Sequence, residues 1–324
     1  MRADSPSERR RRARPGLWQN LLVATDPGPP VTADVALLED DLAFPAVIEP
    51  SEIITPIDMP ANVVLCFFSE IIETIAGRGD ATKVEELVAA HGRHPIWEIE
   101  HRNKRLGVLH PGVGAPLAAA FLEEAIALGA RAIVAVGGAG ALVPDLVLGH
   151  AVVVDSAVRD EGTSFHYLPP SRVVDADPSG VAALQRTLAG AGVPFVTGRT
   201  WTTDGLYRET RERVRRRVAE GCVTVEMEAA AFMAVARYRR VRFAQLLYAG
   251  DSLAGDQWQE RQWTTALSIR EQLFWHAADA CLALPRSKPR DPGQQTPGRT
   301  QRMQMRASRV SDLRRRQHRS ARSV

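Results

Sequence analysis

Three acids in one stretch could do chemistry together. The segment VEMEAAAFMAVARYRRVRFAQLLYAGDSL opens with Glu226 and Glu228 on alternate residues and carries Asp251 near its end. A carboxylate at a helix entrance could accept two neighbouring hydroxyls, as on a sugar, while a carboxylic acid beyond a strand could give a proton to a leaving base. The same residues have plainer uses. Glu226 and Glu228 could be first-turn acids favoured by a helix dipole, and Asp251 could cap a helix that starts at Ser252. The surrounding pattern bears on the choice: Ala229, Phe232, Met233 and Ala236 recur at helical spacing, and Phe243 to Tyr248 is an apolar strand with Asp251 just past its end. In open α/β sheets, ligands sit outside the carboxyl ends of strands.

The elements that must hold these acids need a sizeable core. At 324 residues with 45% apolar side chains the chain has one, either as a single large α/β domain or as two small ones. The net charge of +3 conceals an asymmetry. Residues 286–324 carry twelve Lys/Arg against two acids and residues 1–15 carry six against two, leaving the middle strongly acidic. Residues 1–33 and 286–324 read as a disordered basic head and tail, and residues 34–61 as an irregular Pro-rich arm. The tail has no aromatic residue among its arginines, so a dedicated nucleic-acid partner is not expected. Cys66, Cys222 and Cys281 form no CxxC pair and no zinc pattern, and read as reduced thiols of a cytoplasmic protein. No apolar h-region follows Arg9–Arg12 and no run of eighteen apolar residues occurs, so neither a secretory signal nor a membrane span is expected.

In chain order, an apolar run at 63–68 predicts a buried strand, Ser69 to Ala76 a helix with Glu70 in its first turn, and Ala81 to His91 a second helix. Residues 95–100 and 105–110 read as a hairpin. The turn Pro111–Pro116, sequence PGVGAP, precedes an Ala-rich helix at 117–128 and could admit an anion or sugar at its start. A strand at 132–136 runs into a glycine loop at 137–141, and another strand follows at 148–155. The loop matches neither a Walker motif nor GxGxxG. Residues 157–167, AVRDEGTSFHY, make a polar loop. A helix at 178–191, a strand at 195–200, an exit loop at 201–207, an arginine-rich helix at 209–220 and a last helix at about 264–284 complete the pattern.

VGGAGAL, SAVRDEGTSFHY, TTDGLY, VEMEAAA and AGDSL, in this order, resemble the nucleoside phosphorylase superfamily, which includes purine nucleoside phosphorylases, uridine phosphorylases and methylthioadenosine nucleosidases. The similarity covers about residues 62–284. It implies a three-layer α/β/α fold on a central mixed twisted sheet, with the domain at 62–285. It also implies a homo-oligomer, dimer or hexamer, acting on a nucleoside with inorganic phosphate as co-substrate and no cofactor or metal. By the same resemblance Glu228 takes the ribose hydroxyls, Met227 packs under the sugar, and Glu226 takes a supporting position beside the base, with Glu226 and His166 counted on the ribose side. Asp251 is the general acid at the base. Gly137, Gly138 and Arg159 lie near phosphate or water, and Trp201, Leu206 and Tyr207 line the base pocket.

The chain departs from the family where phosphate binds. The glycine and arginine after the first strand are replaced by Cys66 or Phe67 and by Ile71, and the central arginine and hydroxyl by Ala135 and Gly138. Arg159, or Arg102 or Arg105 of another subunit, could substitute. Otherwise Glu70 stands near the glutamate that activates water in the family's nucleosidases, or serves only as an acid at a helix start. The Gln-x-Arg uracil reader is not evident in RETRER after Tyr207, and Asp251 is the purine-type acid. The reading is therefore a nucleoside phosphorylase of purine salvage. Its alternatives are a nucleosidase, a nucleoside-binding module without catalysis, and a nucleic-acid-associated protein using the tail.

Overall fold

The computed structural model describes residues 35–39, 42, 45–90 and 92–285. The expectations for the head and tail lie outside these residues. The chain divides into two compact units, the first ending at Glu39. Of the first unit, the described residues form one 3-10 turn, Ala36–Leu38.

The second unit begins with a short helix α1 (Pro50–Ile53) and then strand β1 (Asn62–Cys66), all five residues of which are buried. Helix α2 (Ser69–Gly77) leads to β2 (Thr82–Ala89), β3 (Gly92–His101) and β4 (Lys104–Leu109). Helix α3 (Ala115–Leu128), β5 (Ala132–Ala141), β6 (Ala151–Asp160) and β7 (Val173–Asp175) follow. The rest comprises α4 (Pro178–Gly190), β8 (Phe195–Thr203), α5 (Arg211–Ala219), β9 (Cys222–Glu226), α6 (Ala229–Arg239), β10 (Arg242–Ser252) and α7 (Leu267–Ala283).

All ten strands join one mixed sheet, and β5 is its axis. It pairs in parallel with β1 and β10 and, at its carboxyl end, antiparallel with β9. Because β10 also pairs with β6, β6 with β8 and β8 with β9, the pairings close into a ring, while β1, β4, β3 and β2 extend as an open wing. One apolar cluster joins the sheet to α3 and α6, and a second joins it to α2, α4 and α7, giving the three expected layers. No helix among the described residues is long and apolar enough to cross a membrane.

Local expectations fail at several points: the loops expected from 157 and from 201 begin only after β6 ends at Asp160 and β8 at Thr203, and two elements differ in kind. The helix at 81–91 is instead strand β2, paired antiparallel from Thr82 opposite Glu98 to Ala89 opposite Gly92. Pairing with β3 outweighs the helix preference of its acidic residues, which is weak beside a tertiary contact. The glycine loop at 137–141 is the second half of β5, bonded to β10 as far as Ala141. Its glycines serve close approach: a Cβ on Gly137 would lie 2.9 Å from the Phe67 ring, and one on Gly140 only 2.7 Å from Leu253 and 2.9 Å from Val225.

Candidate active site

The acid pair stands where β9 passes into α6. Glu226 is the last residue of β9 and Glu228 the residue before the first helical one, so neither is a first-turn helix acid. Both are buried. The Glu226 carboxylate accepts three hydrogen bonds, from the Thr202 hydroxyl at 2.6 Å and from the amides of Glu228 at 2.7 Å and Ala229 at 2.6 Å. It thereby caps α6 from inside the strand. Thr202 in turn accepts the Ala230 amide, so β8, β9 and α6 meet at one knot.

Glu228 reaches across to α3 and accepts the Gly114 amide at 2.6 Å. Gly114 has φ 91° and Gly112 φ 77°, conformations that favour glycine, which is why the PGVGAP turn can aim an N–H at the carboxyl. Burial raises both acids, Glu226 to about 7 and Glu228 to about 8, with the Glu226 charge a second cause for Glu228. Three donors favour the ionised form of Glu226. Glu228, with fewer donors and a like charge beside it, keeps its proton to higher pH.

Asp251 does not cap a helix. It lies within the last residues of β10, in the irregular stretch between Ala249 and Ser252 where the register with β5 shifts. Its Oδ1 lies 3.5 Å from where a Cβ of Gly140 would stand, and Gly140 pairs with Val225, the residue before Glu226. The three acids are therefore gathered at the carboxyl ends of β9 and β10 around the glycine half of β5. The other oxygen of Asp251 accepts the Trp258 indole N–H at 2.6 Å.

The rest of the expected site disperses. Arg159 is buried, and its guanidinium donates to Ser164, Pro169, Ser171 and Leu168, with the Phe165 ring 4.1 Å from its central carbon. A guanidinium so occupied ties down the 161–171 loop and is not free for phosphate. Trp201 is wholly buried in a third apolar cluster, its indole bonded to Asp160, and cannot stack on a base. Leu206 and Tyr207 are exposed on a 3-10 turn, Tyr207 almost completely. His166 is exposed and shares a groove with Glu49, Ile53 and Tyr238. Met227 is half-buried between the two glutamates.

Gly137 faces Phe67, whose ring also lies against His110 and Phe232, and Gly138 faces Tyr248. Glu70 is forked by Arg270 of α7, at 2.9 and 3.1 Å. Arg102 is held by Asp279, and Arg105 by Glu98 and Asp58. The three cysteines are buried and free, their thiols pushed up to about 12 by burial.

Sequence reasoning missed Thr202, Glu209 and the role of Trp258. Glu209, just before α5, is half-buried and lifted to about 7 by burial and then by the charge of Asp251, so it stands near the acid. A cavity of about 570 Å³ opens between Glu209–Arg215 and Leu253–Trp258. Thr202 sits in the TTDGLY motif, but its pairing with Glu226 depends on strand register.

Among known proteins, the chain is 28% identical over 191 residues to a uridine phosphorylase of Treponema pallidum, covering 52% of this chain and 73% of that one. A guanosine phosphorylase of Halorubrum lacusprofundi is 28% identical over 173 residues, 53% of this chain and 72% of that one. Among solved structures, the AMP nucleosidase of Bacteroides thetaiotaomicron superposes with TM-score 0.57 at 21% identity, covering 70% of this chain and 89% of that one. The family model for the Phosphorylase superfamily matches residues 62–274, from the first strand into the last helix. On that match the chain belongs to the phosphorylase superfamily, the enzymes of nucleoside phosphorolysis and their nucleosidase kin.

Proposed function

We propose that this chain cleaves the N-glycosidic bond of a purine nucleoside and passes the sugar to water. Glu228, once ionised, accepts the ribose hydroxyls, with Glu226 holding it in place and Met227 beneath the sugar. Asp251 protonates the departing base, which is the step with most to gain when the sugar becomes oxocarbenium-like. Such a cation takes up water with little help from a base, so the engagement of Glu70 with Arg270 is compatible with this reading.

The observation that carries the choice of water is the wall at Gly137 and Gly138. Aromatic rings of Phe67 and Tyr248 face these glycines, and Arg159 spends its donors on its own loop. Phosphate needs a fork of charged donors. Phosphorolysis remains the second reading, favoured by the phosphorylases among the relatives, and it requires charged donors other than Arg159.

Purified protein incubated with purine and pyrimidine nucleosides, with and without phosphate, tests both. Free base and free ribose at equal rates in the two buffers are expected. Ribose 1-phosphate formed only with phosphate overturns hydrolysis, and no base released from any substrate overturns the enzymatic reading.

A further inference from the structure

Trp258 lies on the loop after β10, seven residues beyond Asp251, and nothing in the mechanism above uses it. Its position is built into the fold. Ser252 and Gln259 exchange two backbone hydrogen bonds, at 2.9 and 3.0 Å, which close residues 253–258 into a loop pinned to the end of β10. In that antiparallel pair Asp251 and Trp258 occupy diagonal positions on one face, within reach of each other. The Arg211 guanidinium adds a second tether, 3.4 Å from the Gly255 carbonyl and 3.8 Å from Asp256. The indole N–H then meets Asp251 Oδ2 at 2.6 Å, while 62% of the Trp258 side chain's residue surface stays open.

We propose that Trp258 is the positioning residue of the general acid: its indole N–H fixes Oδ2 of Asp251, so that Oδ1 carries the proton toward the base. This rests on the functional reading above. An indole nitrogen only donates, so the oxygen it engages favours the lone-pair role and the acidic proton belongs on the other. Oδ1 faces Gly140, 3.5 Å from where a Cβ would stand, and the absence of that Cβ lets the Leu253 and Val225 side chains close in beside it.

In the reaction the Oδ1 proton passes to a ring nitrogen of the base, and the electron pair of the broken C–N bond leaves with the base. Asp251 becomes a carboxylate stabilised at Oδ2 by the indole. Water then adds to the sugar carbon, and the proton it releases restores Asp251. The charged and titratable groups around the acid are Glu209 before α5, Tyr248 on β10, and Arg211 and Asp256 at the loop.

Trp258→Phe removes the N–H and keeps an aromatic surface. For base release, kcat should fall about ten- to hundredfold, the scale of one hydrogen bond to a charged group, with KM little changed. Trp258→His, which restores an N–H at the same place, should recover part of the lost kcat; a merely structural role of Trp258 would not give this donor-specific rescue. Independently of activity, one of the six indole N–H signals in ¹⁵N spectra should vanish in Trp258→Phe and change its chemical shift in Asp251→Asn, because its partner oxygen is altered. A wild type that releases base, with a Phe variant of equal kcat, overturns the proposal alone, as does an indole signal that ignores the Asp251 substitution. A wild type that releases no base overturns the functional reading, and the proposal falls with it.

Discussion

Replacing Glu228 by Gln tests the acid pair through its protons. The folded protein lifts this carboxyl from its ordinary 4.5 to about 8, chiefly by burial and then by the charge of Glu226. Between those values the native state holds a proton that the unfolded chain has lost. Stability therefore falls as pH rises, by about 1.4 kcal/mol per pH unit for one such proton. The contribution is fully present below 4.5, is lost through 8, and is flat above. From pH 5.5 to 8 the loss from this group is on the order of 3 kcal/mol. Glutamine has nothing to ionise, yet its amide oxygen can still accept the Gly114 N–H, so the fold survives. Urea unfolding at half-unit pH steps should show the wild type losing stability on Glu228→Gln by that amount between pH 5.5 and 8. Nucleoside affinity of the wild type should rise over the same interval, as the carboxylate that accepts the ribose hydroxyls forms, and that rise should be absent in the variant. Parallel stability curves for the two proteins would refute the reasoning, because they would mean that Glu228 ionises as freely in the fold as in the unfolded chain.

Asp251→Asn should lower base release by about 10²- to 10⁴-fold, the usual scale of a lost general acid, while circular dichroism and melting stay near wild type; full turnover would remove Asp251 from the mechanism. Arg239→Met should cost about 3–5 kcal/mol in urea unfolding, because Arg239 bridges Glu49 at 2.7 Å and Glu123 at 2.6 Å and its loss strands two buried carboxyls. Arg159→Met should destabilise by about 1–3 kcal/mol, because the oxygens of Ser164, Leu168, Pro169 and Ser171 lose their charged donor, and expose the 161–171 loop to proteolysis. If Arg159 instead binds phosphate, the variant will keep its stability and show a phosphate dependence altered from wild type.

Local patterns that survive into the fold were legible in the sequence. The alternation in VEME places two carboxyls at a strand-to-helix junction, and the apolar run ending at AGD places a third at a strand's carboxyl end; both depend only on the period of a strand and the entrance of a helix. The same is true of β1, α3 and α4, whose apolar periodicity is intact. Tertiary structure decided what depends on partners distant in sequence. Thr82–Ala89 became a strand because β3 lies beside it, and residues 137–141 became strand because β10 continues past them. Trp201 was drawn inward because β8 is one strand of the closed ring, and Arg159 turned away because its own loop folds back over it. A side chain's type announces the chemistry it could do, but whether it is free to do so depends on which donors, rings and charges the fold sets around it, and those come from segments that local sequence does not contain.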